Sequence, residues 1–358
     1  MNYYQNKRLP MTAATLVLLL LSHSPQADVT SNAELNFSNT LLLGSADPLY
    51  IADAISKLRL QSANNNKVKA TLELGAKSSS YLEQEVSLDR AFIKTRTDRY
   101  RITLGKTRLS WGEGSAFNAG DVIMGGSDLN LQLTENDYRN SATWLTSFYR
   151  ATGRFSFTEL VIMPPEIQAD LNESPTLDKA KVAARTQFRV DRLAKTKFEL
   201  GYALKGTHHQ PYISLQGGSG LNWHLSANLQ ADHSINASAG VYTLSNLGEQ
   251  YTLSFRSELL YKSAGRSTEI PNGDNYRTYA YAYVEFGLSK GDGQSYYNRN
   301  IISPIDQSAM IILGTNINLH QGLNLFSHVS MQQGNSDDTF KQNLIGSYSL
   351  TLGSRFVF

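Results

Sequence analysis

The segment 104–126 is rich in glycine and carries acidic and basic side chains, so it is the first place to look for chemistry. A glycine-rich segment that follows a strand-like run can hold a phosphate group, form an active-site loop or narrow a pore. The phosphate-loop interpretation fails because the pattern G-x-x-x-x-G-K-[ST] is absent and no capped helix follows. The segment is therefore predicted to be a loop that does not bind a nucleotide.

The histidines of the chain give no pattern typical of catalysis or metal binding. His208 and His209 are adjacent, and His224 and His233 follow, but no carboxylate or further histidine stands at ligand spacing. We therefore expect no catalytic residue, no metal site and no cofactor. Hydrolase activity is the least favoured of the functions considered.

Residues 1–27 have the three parts of a secretory signal peptide. Lys7 and Arg8 form the positive region, residues 11–21 form the apolar run, and cleavage is expected after Ala27. The apolar run is too short for a membrane-spanning helix, which needs about 20 residues. The mature chain is then 28–358, and we expect it to form a single domain.

Composition excludes one class of partner. The chain has 33 basic and 31 acidic residues and no cysteine. Loss of Lys7 and Arg8 with the signal peptide makes the formal charge of the mature chain zero. Because nucleic-acid-binding proteins usually have a basic surface, we expect no nucleic-acid partner. An exported chain without disulfides must be stabilised by backbone pairing and packing.

Alternation of apolar and polar residues dominates the chain after residue 30. In 67–77, Leu72 and its apolar neighbours point to one side, and Glu73 and its polar neighbours point to the other. The segments 197–205 and 251–262 repeat this pattern. A period of two residues predicts strands with one apolar and one polar face.

Three features favour a transmembrane barrel over a soluble sandwich of sheets. The predicted strands are about 10 residues long, as a tilted membrane strand requires. The last strand, 343–358, keeps its alternation and ends in Phe358. Tight turns also alternate with long polar segments, as short periplasmic turns and longer extracellular loops do. These long segments are 44–53, 78–85, 110–139 and 164–180.

The number of strands follows from counting the alternating segments. Alternation marks seventeen strands, whereas bacterial single-chain barrels have an even number. Either 295–302 is an additional strand, which gives eighteen, or two strands within 206–231 are one, which gives sixteen. The predicted fold class is all-β, a single transmembrane antiparallel β-barrel, with sixteen strands preferred and eighteen as the alternative.

One stretch resembles porin-like outer-membrane families, which carry the signature G-R/K-x-x-x-x-W-G after an early hairpin. Lys106 stands where arginine is commoner in those families. This resemblance implies an outer-membrane barrel and passage of solutes. It identifies no substrate. Separately, the last strand, which ends in Phe358, resembles the closing strand of Gram-negative outer-membrane proteins, and that resemblance implies recognition by the barrel assembly machinery. The signature falls on Gly105, Lys106, Trp111, Gly112, Gly114, Phe117, Asn118 and Asp121.

Alternation also predicts which side chains line the lumen. The inner faces carry more basic than acidic residues, whereas the long loops are acidic. A lumen with this charge is expected to prefer anions weakly. The predicted pore-lining basic residues are Lys57, Arg59, Lys69, Arg101, Arg185, Arg189, Lys197, Arg256 and Arg277.

The loop 110–139 is the candidate for narrowing this lumen because it is the longest and occurs early in the chain. Inside the barrel, its acids would face the basic wall. The alternative places the loop over the extracellular rim, with Trp111 as an interface anchor, and the sequence does not decide. The constriction-loop candidates are Trp111, Glu113, Phe117, Asp121 and Asp128.

Tyr279, Tyr281 and Tyr283 share one predicted inner face and could form an aromatic track for sugar rings, with ordinary lumen packing as the alternative. The predicted function is a porin-like channel for passive diffusion of small polar or anionic solutes. It would act in the outer membrane of a Gram-negative bacterium, in contact with outer-membrane lipid. A closed structural or adhesive barrel is the alternative, and the sequence leaves the solute and the oligomeric state open.

Overall fold

The structure is a computed structural model that describes most of the chain. Side chains are described throughout these parts except at 265–268 and 276–279, where only the backbone is described. The predicted signal peptide and the candidate Asp128 lie outside the described residues. The described residues are 29–44, 48–62, 67–81, 84–125, 142–165, 180–190, 195–268, 276–320, 322–335, 338–340 and 347–358.

The described residues form eighteen β-strands. Among them, no helix is both long and apolar enough to cross a membrane. The strands are β1 (Val29–Leu43), β2 (Leu49–Ser62), β3 (Val68–Ser79), β4 (Glu85–Arg96), β5 (Tyr100–Thr107), β6 (Thr143–Gly153), β7 (Ser156–Met163), β8 (Lys181–Val190), β9 (Thr196–Lys205), β10 (His208–Gly218), β11 (Leu221–Leu229), β12 (Ile235–Leu247), β13 (Tyr251–Thr268), β14 (Tyr276–Lys290), β15 (Gln294–Ser303), β16 (Ser308–His320), β17 (Leu323–Gln333) and β18 (Tyr348–Val357).

The sheet closes on itself. Each strand pairs antiparallel with the next in sequence, and β1 pairs with both β2 and β18. Closure removes the free edges that an open sheet would expose. The preferred count of sixteen is wrong, and the alternative of eighteen is correct. Two strands account for the difference: β15 is the additional strand, and β10 and β11 are separate strands joined at residues 219–220.

Alternation places apolar side chains on the outside of the barrel and polar ones inside. On β9, Leu200 and Tyr202 are exposed on the outer face, whereas Glu199, the residue before Leu200, is buried on the inner face. An exposed apolar outer face is the pattern of barrels that contact lipid. Further exposed apolar side chains include Leu104, Phe148, Leu160, Ile213, Leu225, Leu259, Leu313, Val329 and Leu352.

The two ends of the barrel differ in the length of their connections. The end that holds both chain termini has short turns, such as the connection at 321–322 between β16 and β17. Gly322 has φ 86, and a Cβ there would lie 2.2 Å from the Val357 carbonyl oxygen, so this turn requires glycine. The opposite end has the long connections at 108–142, 164–180 and 334–347.

Candidate functional site

The segment 110–125 enters the barrel and lies against the inner face of the wall. Trp111 and Phe117 are both 0% exposed, and they contact opposite ends of a long arc of strands. Trp111 packs with residues of β6 to β10, and Phe117 packs with residues of β13 to β16. The described part of the loop therefore lies in the lumen and not over the rim.

Local sequence explains how this segment folds so tightly. Gly114 has φ 130, and a Cβ there would lie 2.0 Å from the Phe117 carbonyl oxygen, so only glycine fits. The Asp121 carboxylate accepts hydrogen bonds from Ser110 Oγ at 2.9 Å and from the Met124 N–H at 3.1 Å. Asp121 is thus used within the segment and does not offer its charge to the lumen.

Glu258 on β13 makes the strongest attachment of the segment to the wall. This side chain is buried, and its two carboxylate oxygens accept three consecutive backbone N–H groups. The donors are Ser115 at 2.9 Å, Ala116 at 2.8 Å and Phe117 at 2.7 Å. Hydrogen bonds to a charged acceptor are worth about 1.5–3 kcal/mol each, so this carboxylate fixes the course of the segment.

A second attachment is built around Arg185 on β8. Its guanidinium lies between two buried carboxylates, at 2.7 Å from Glu159 and 2.9 Å from Glu199. Trp111 Nε1 donates to Glu159 at 3.2 Å, and the Gly112 N–H donates to Glu199 at 2.8 Å. The segment therefore supplies donors that complete a network of charges on the wall.

Further contacts continue around the wall between these two attachments. The Ala119 N–H donates to Ser238 Oγ at 2.9 Å, and Asn228 Nδ2 donates to the Ala119 carbonyl oxygen. Lys181 Nζ donates to the Val122 carbonyl oxygen. Because donors and acceptors from several strands meet one segment, its position is fixed along its whole described length.

Apolar packing holds the segment where it meets β13 to β16. Tyr281 and Tyr283 are both 0% exposed there, so their rings offer no face to a sugar. The structure therefore excludes these two residues from an accessible aromatic track, because the inserted segment covers them. The side chain of Tyr279 lies outside the described residues. The cluster consists of Ala116, Phe117, Leu260, Tyr281, Tyr283, Ile301, Ile312 and Phe340.

Phe340 reaches this cluster from a second extracellular connection, between β17 and β18. Its ring meets that of Tyr281 edge-on, with 6.3 Å between centroids. Asp306 Oδ2 in the β15–β16 turn accepts from the Thr339 N–H at 2.9 Å and from Thr339 Oγ1 at 2.6 Å. Burial tends to raise the pKa of Asp306, but hydrogen bonds from Thr339, Ser303 and Ser308 outweigh it and lower that pKa to about 2.

The predicted basic residues are on the inner face but differ in their partners. Arg185 belongs to the attachment described above, and Arg59 forms an ion pair with Glu73 at 2.7 Å. Arg256 lies 3.8 Å from Glu258 and 3.9 Å from Glu285. Cross-strand register places the others on the same face, except that the side chain of Arg277 is not described. These others are Lys57, Lys69, Arg101, Arg189 and Lys197.

Glu113 is the exposed acid of the segment. It lines a cavity of ≈ 470 Å³ on the side of the segment that faces the chain termini. Arg189, Lys197 and Arg256 line the same cavity, together with Tyr242. Lys195 and Glu258 line it as well, so two carboxylates and four cations surround one water-accessible space.

Alternation alone assigned no role to the carboxylates that hold the segment. Glu199 and Glu258 have the alternation of inner-face residues, but alternation does not reveal what an inner-face carboxylate contacts. One signal could have been used: an acid on the inner face of a strand near the middle of the barrel needs a partner.

His208 and His209 belong to the extracellular end of the wall, where His209 Nδ1 contacts Tyr202 Oη on the outer face.

No protein-family model and no curated protein matches the sequence. Solved structures do match. OpdK, an outer membrane protein of Pseudomonas aeruginosa, has 10% identity and a TM-score of 0.56, with 92% of this chain and 98% of that chain covered. OccAB4 of Acinetobacter baumannii has 9% identity and a TM-score of 0.55, with 93% and 98% covered.

OccK2 (OpdF) of Pseudomonas aeruginosa, solved in complex with glucuronate, has 12% identity and a TM-score of 0.55, with 92% of this chain and 98% of that chain covered. At such low identity, the likeness concerns the path of the chain and not its side chains. This protein therefore shares the closed eighteen-stranded barrel fold of these outer-membrane proteins.

Proposed function

We propose that this protein is an outer-membrane channel of a Gram-negative bacterium that allows passive diffusion of small polar or anionic solutes. The observation that carries the proposal is the segment 110–125, which is held inside a closed barrel along one side of its wall. A segment fixed in this way narrows the lumen. Trp111, Glu113, Phe117 and Asp121 belong to this constriction, with Glu113 as its charged surface.

The location follows from the surface of the barrel. Its exposed outer face is apolar, as contact with membrane lipid requires. Export through the signal peptide at 1–27 and assembly through the closing strand β18 fit this location. At the end of that strand the ring centroids of Phe356 and of the following Phe358 lie 5.2 Å apart. Recognition of the end of this strand by the barrel assembly machinery is part of the proposal.

The preference for anions follows from the inner-face charges. Several basic residues reach the lumen, whereas the inner-face carboxylates Glu159, Glu199 and Glu258 are engaged by the segment 110–125. The free positive charge then exceeds the free negative charge along the path of a solute. OccK2, which shares the fold, was solved with the anionic sugar glucuronate; a small organic anion is the solute class proposed here.

Planar-bilayer recording of the purified protein tests this function. We expect discrete ion-conducting steps and a reversal potential in a salt gradient that indicates weak anion preference. A clear cation preference would contradict the proposed charge balance. Absence of conductance in correctly folded protein would instead favour a closed structural or adhesive barrel. Lipid-release activity of the purified protein would point to an outer-membrane hydrolase.

A further inference from the structure

Four cations occupy the inner face of β3, β4 and β5 near the end of the barrel that holds the chain termini. Lys69 on β3 stands directly opposite Lys94 on β4, and Arg96 on β4 stands directly opposite Arg101 on β5. Residues that are directly opposite in an antiparallel pair have Cβ atoms about 4.5–5.5 Å apart. The register thus brings two like-charge pairs together, which we call the periplasmic cation cluster.

Register also fixes the direction of these side chains. Lys94 stands opposite Thr103, which is buried on the inner face, and Lys69 shares its face of β3 with the buried Glu73. Arg101 stands opposite Tyr149 on the same face, and the Tyr149 ring centroid lies 4.3 Å from its guanidinium carbon. All four members of the cluster therefore point into the lumen.

No carboxylate of the described residues lies within 4.0 Å of a charged nitrogen of the cluster, since no such ion pair is found there. The charges that act on Lys94 are Arg101, Lys69, Glu159 and Arg96, of which three are cations. Glu159 is already engaged by Arg185 at 2.7 Å, Trp111 at 3.2 Å and Ser147 at 2.6 Å. Glu159 therefore forms its ion pair with Arg185 and none with the cluster.

Like charges directly opposite each other destabilise a sheet. Two such pairs lie side by side here, and a ligand that supplies negative charge would offset the repulsion between them. The ligand must carry more than one charge and several acceptor oxygens, because four separate donors surround it. Arginine guanidinium groups match the fork geometry of phosphate, and lysine ammonium groups add point charges.

We propose that Lys69, Lys94, Arg96 and Arg101 form a binding site for a phosphate group at the periplasmic end of the lumen. The site is separate from the constriction, because the described contacts of the segment 110–125 are with β6 to β16, whereas these four side chains belong to β3, β4 and β5. The proposal rests on the proposed channel function only in requiring that water and solutes reach the lumen from the periplasm.

Phosphorus NMR of inorganic phosphate with the purified, folded barrel in detergent tests the site directly. We expect line broadening that saturates with phosphate and that acetate displaces poorly. Lys94→Gln and Arg101→Gln should each weaken phosphate binding about tenfold, as loss of one charge-assisted hydrogen bond does. The control is Lys205→Gln, which removes an inner-face cation at the extracellular end and should leave phosphate binding unchanged.

Equal binding of acetate and phosphate would overturn the site, and so would Lys205→Gln weakening phosphate as much as Lys94→Gln. Glycerol 3-phosphate as a second ligand separates the sources: binding equal to that of inorganic phosphate assigns a phosphorylated solute, and much weaker binding assigns the free ion. Bilayer conductance is measured in parallel. Protein that binds phosphate but does not conduct would support the phosphate site and contradict the channel function. Protein that conducts but does not bind phosphate preferentially would contradict the phosphate site alone.

Discussion

The middle of the lumen and its periplasmic end use charge in opposite ways. In the middle, buried carboxylates on the wall meet donors from Arg185 and from the segment 110–125, so opposite charges and hydrogen-bond partners are matched. At the periplasmic end, Lys69 faces Lys94 and Arg96 faces Arg101 without a carboxylate between them.

This difference separates charges that hold the structure from charges that remain available to a ligand. A buried charge must be paired, because an unpaired one costs several kcal/mol. Partly exposed cations in a wet lumen tolerate one another at a small cost and gain when an anion arrives. Substitutions that remove charge should therefore destabilise the protein in the middle and stabilise it slightly at the periplasmic end.

The largest effect is expected for Arg185→Met, which leaves Glu159 and Glu199 buried without their cation. The free energy of unfolding should fall by about 3–5 kcal/mol, as measured by urea unfolding of the barrel in lipid vesicles. The control is Arg150→Met, because Arg150 lies over the ring of Tyr100 on the outer face. A loss for Arg185→Met no greater than that of the control would show that the central charges are not structural.

Glu258→Gln should have the next largest effect, since it removes the charge that accepts from Ser115, Ala116 and Phe117. We expect a loss of about 2–3 kcal/mol and, in bilayers, a larger and noisier current because the segment is no longer fixed. The control is Glu249→Gln, which changes an exposed acid in the β12–β13 turn. A quiet current of unchanged size would argue against the role of Glu258.

Asp306→Asn tests the second connection, from which Thr339 donates to Asp306 and Phe340 joins the apolar cluster. The pKa of Asp306 is lowered from 3.8 to about 2, so its ionised form stabilises the fold above the ordinary pKa, and this contribution is lost as pH falls through the folded value. Because Asp306 is largely solvated, we expect only about 1 kcal/mol at neutral pH. The difference between Asp306→Asn and the unmodified protein should vanish between about pH 4 and pH 2; a difference independent of pH would contradict this assignment.

The smallest effect, and the one of opposite sign, is expected for Lys94→Gln. Relief of repulsion from Lys69 and Arg101 should raise the free energy of unfolding by about 0.5 kcal/mol in phosphate-free buffer. The comparison variant is Lys290→Gln, which removes an exposed ion pair with Asp292 and should give no gain. A loss of stability in Lys94→Gln would mean that this cation has a structural partner, and the contrast between the two regions would fail.

Alternation predicted the barrel and the faces of its strands because each side chain of a strand must point either to lipid or to the lumen. It failed at β15, where Ile301 points inward and Asn298 and Asn300 point outward. The inner face is apolar there because Ala116 and Phe117 pack against it. A rule that assigns polar residues to the lumen cannot anticipate a wall covered by another part of the chain.

The candidate site was predicted in part. Composition and spacing predicted that the inner wall is basic and that the loop 110–139 narrows the lumen. The attachments of that loop did not, because they join residues distant in sequence: Trp111 and Glu159 are 48 apart, and Ser115 and Glu258 are 143 apart. Alternation placed Tyr281 correctly on the inner face, but it could not show that residues distant in sequence, such as Phe117, bury its ring.

The sequence by itself determined that this chain forms a closed antiparallel barrel, since a two-residue period and the alternation of short and long connections are local properties. Only the tertiary structure decided that the glycine-rich segment turns inward and which inner-face charges it uses. The physical reason is that a carboxylate such as Glu258 is equally compatible with a wet wall or a buried contact until the segment that donates to it is in place. The cations left without such a contact, at Lys69, Lys94, Arg96 and Arg101, are identified by the same tertiary contacts.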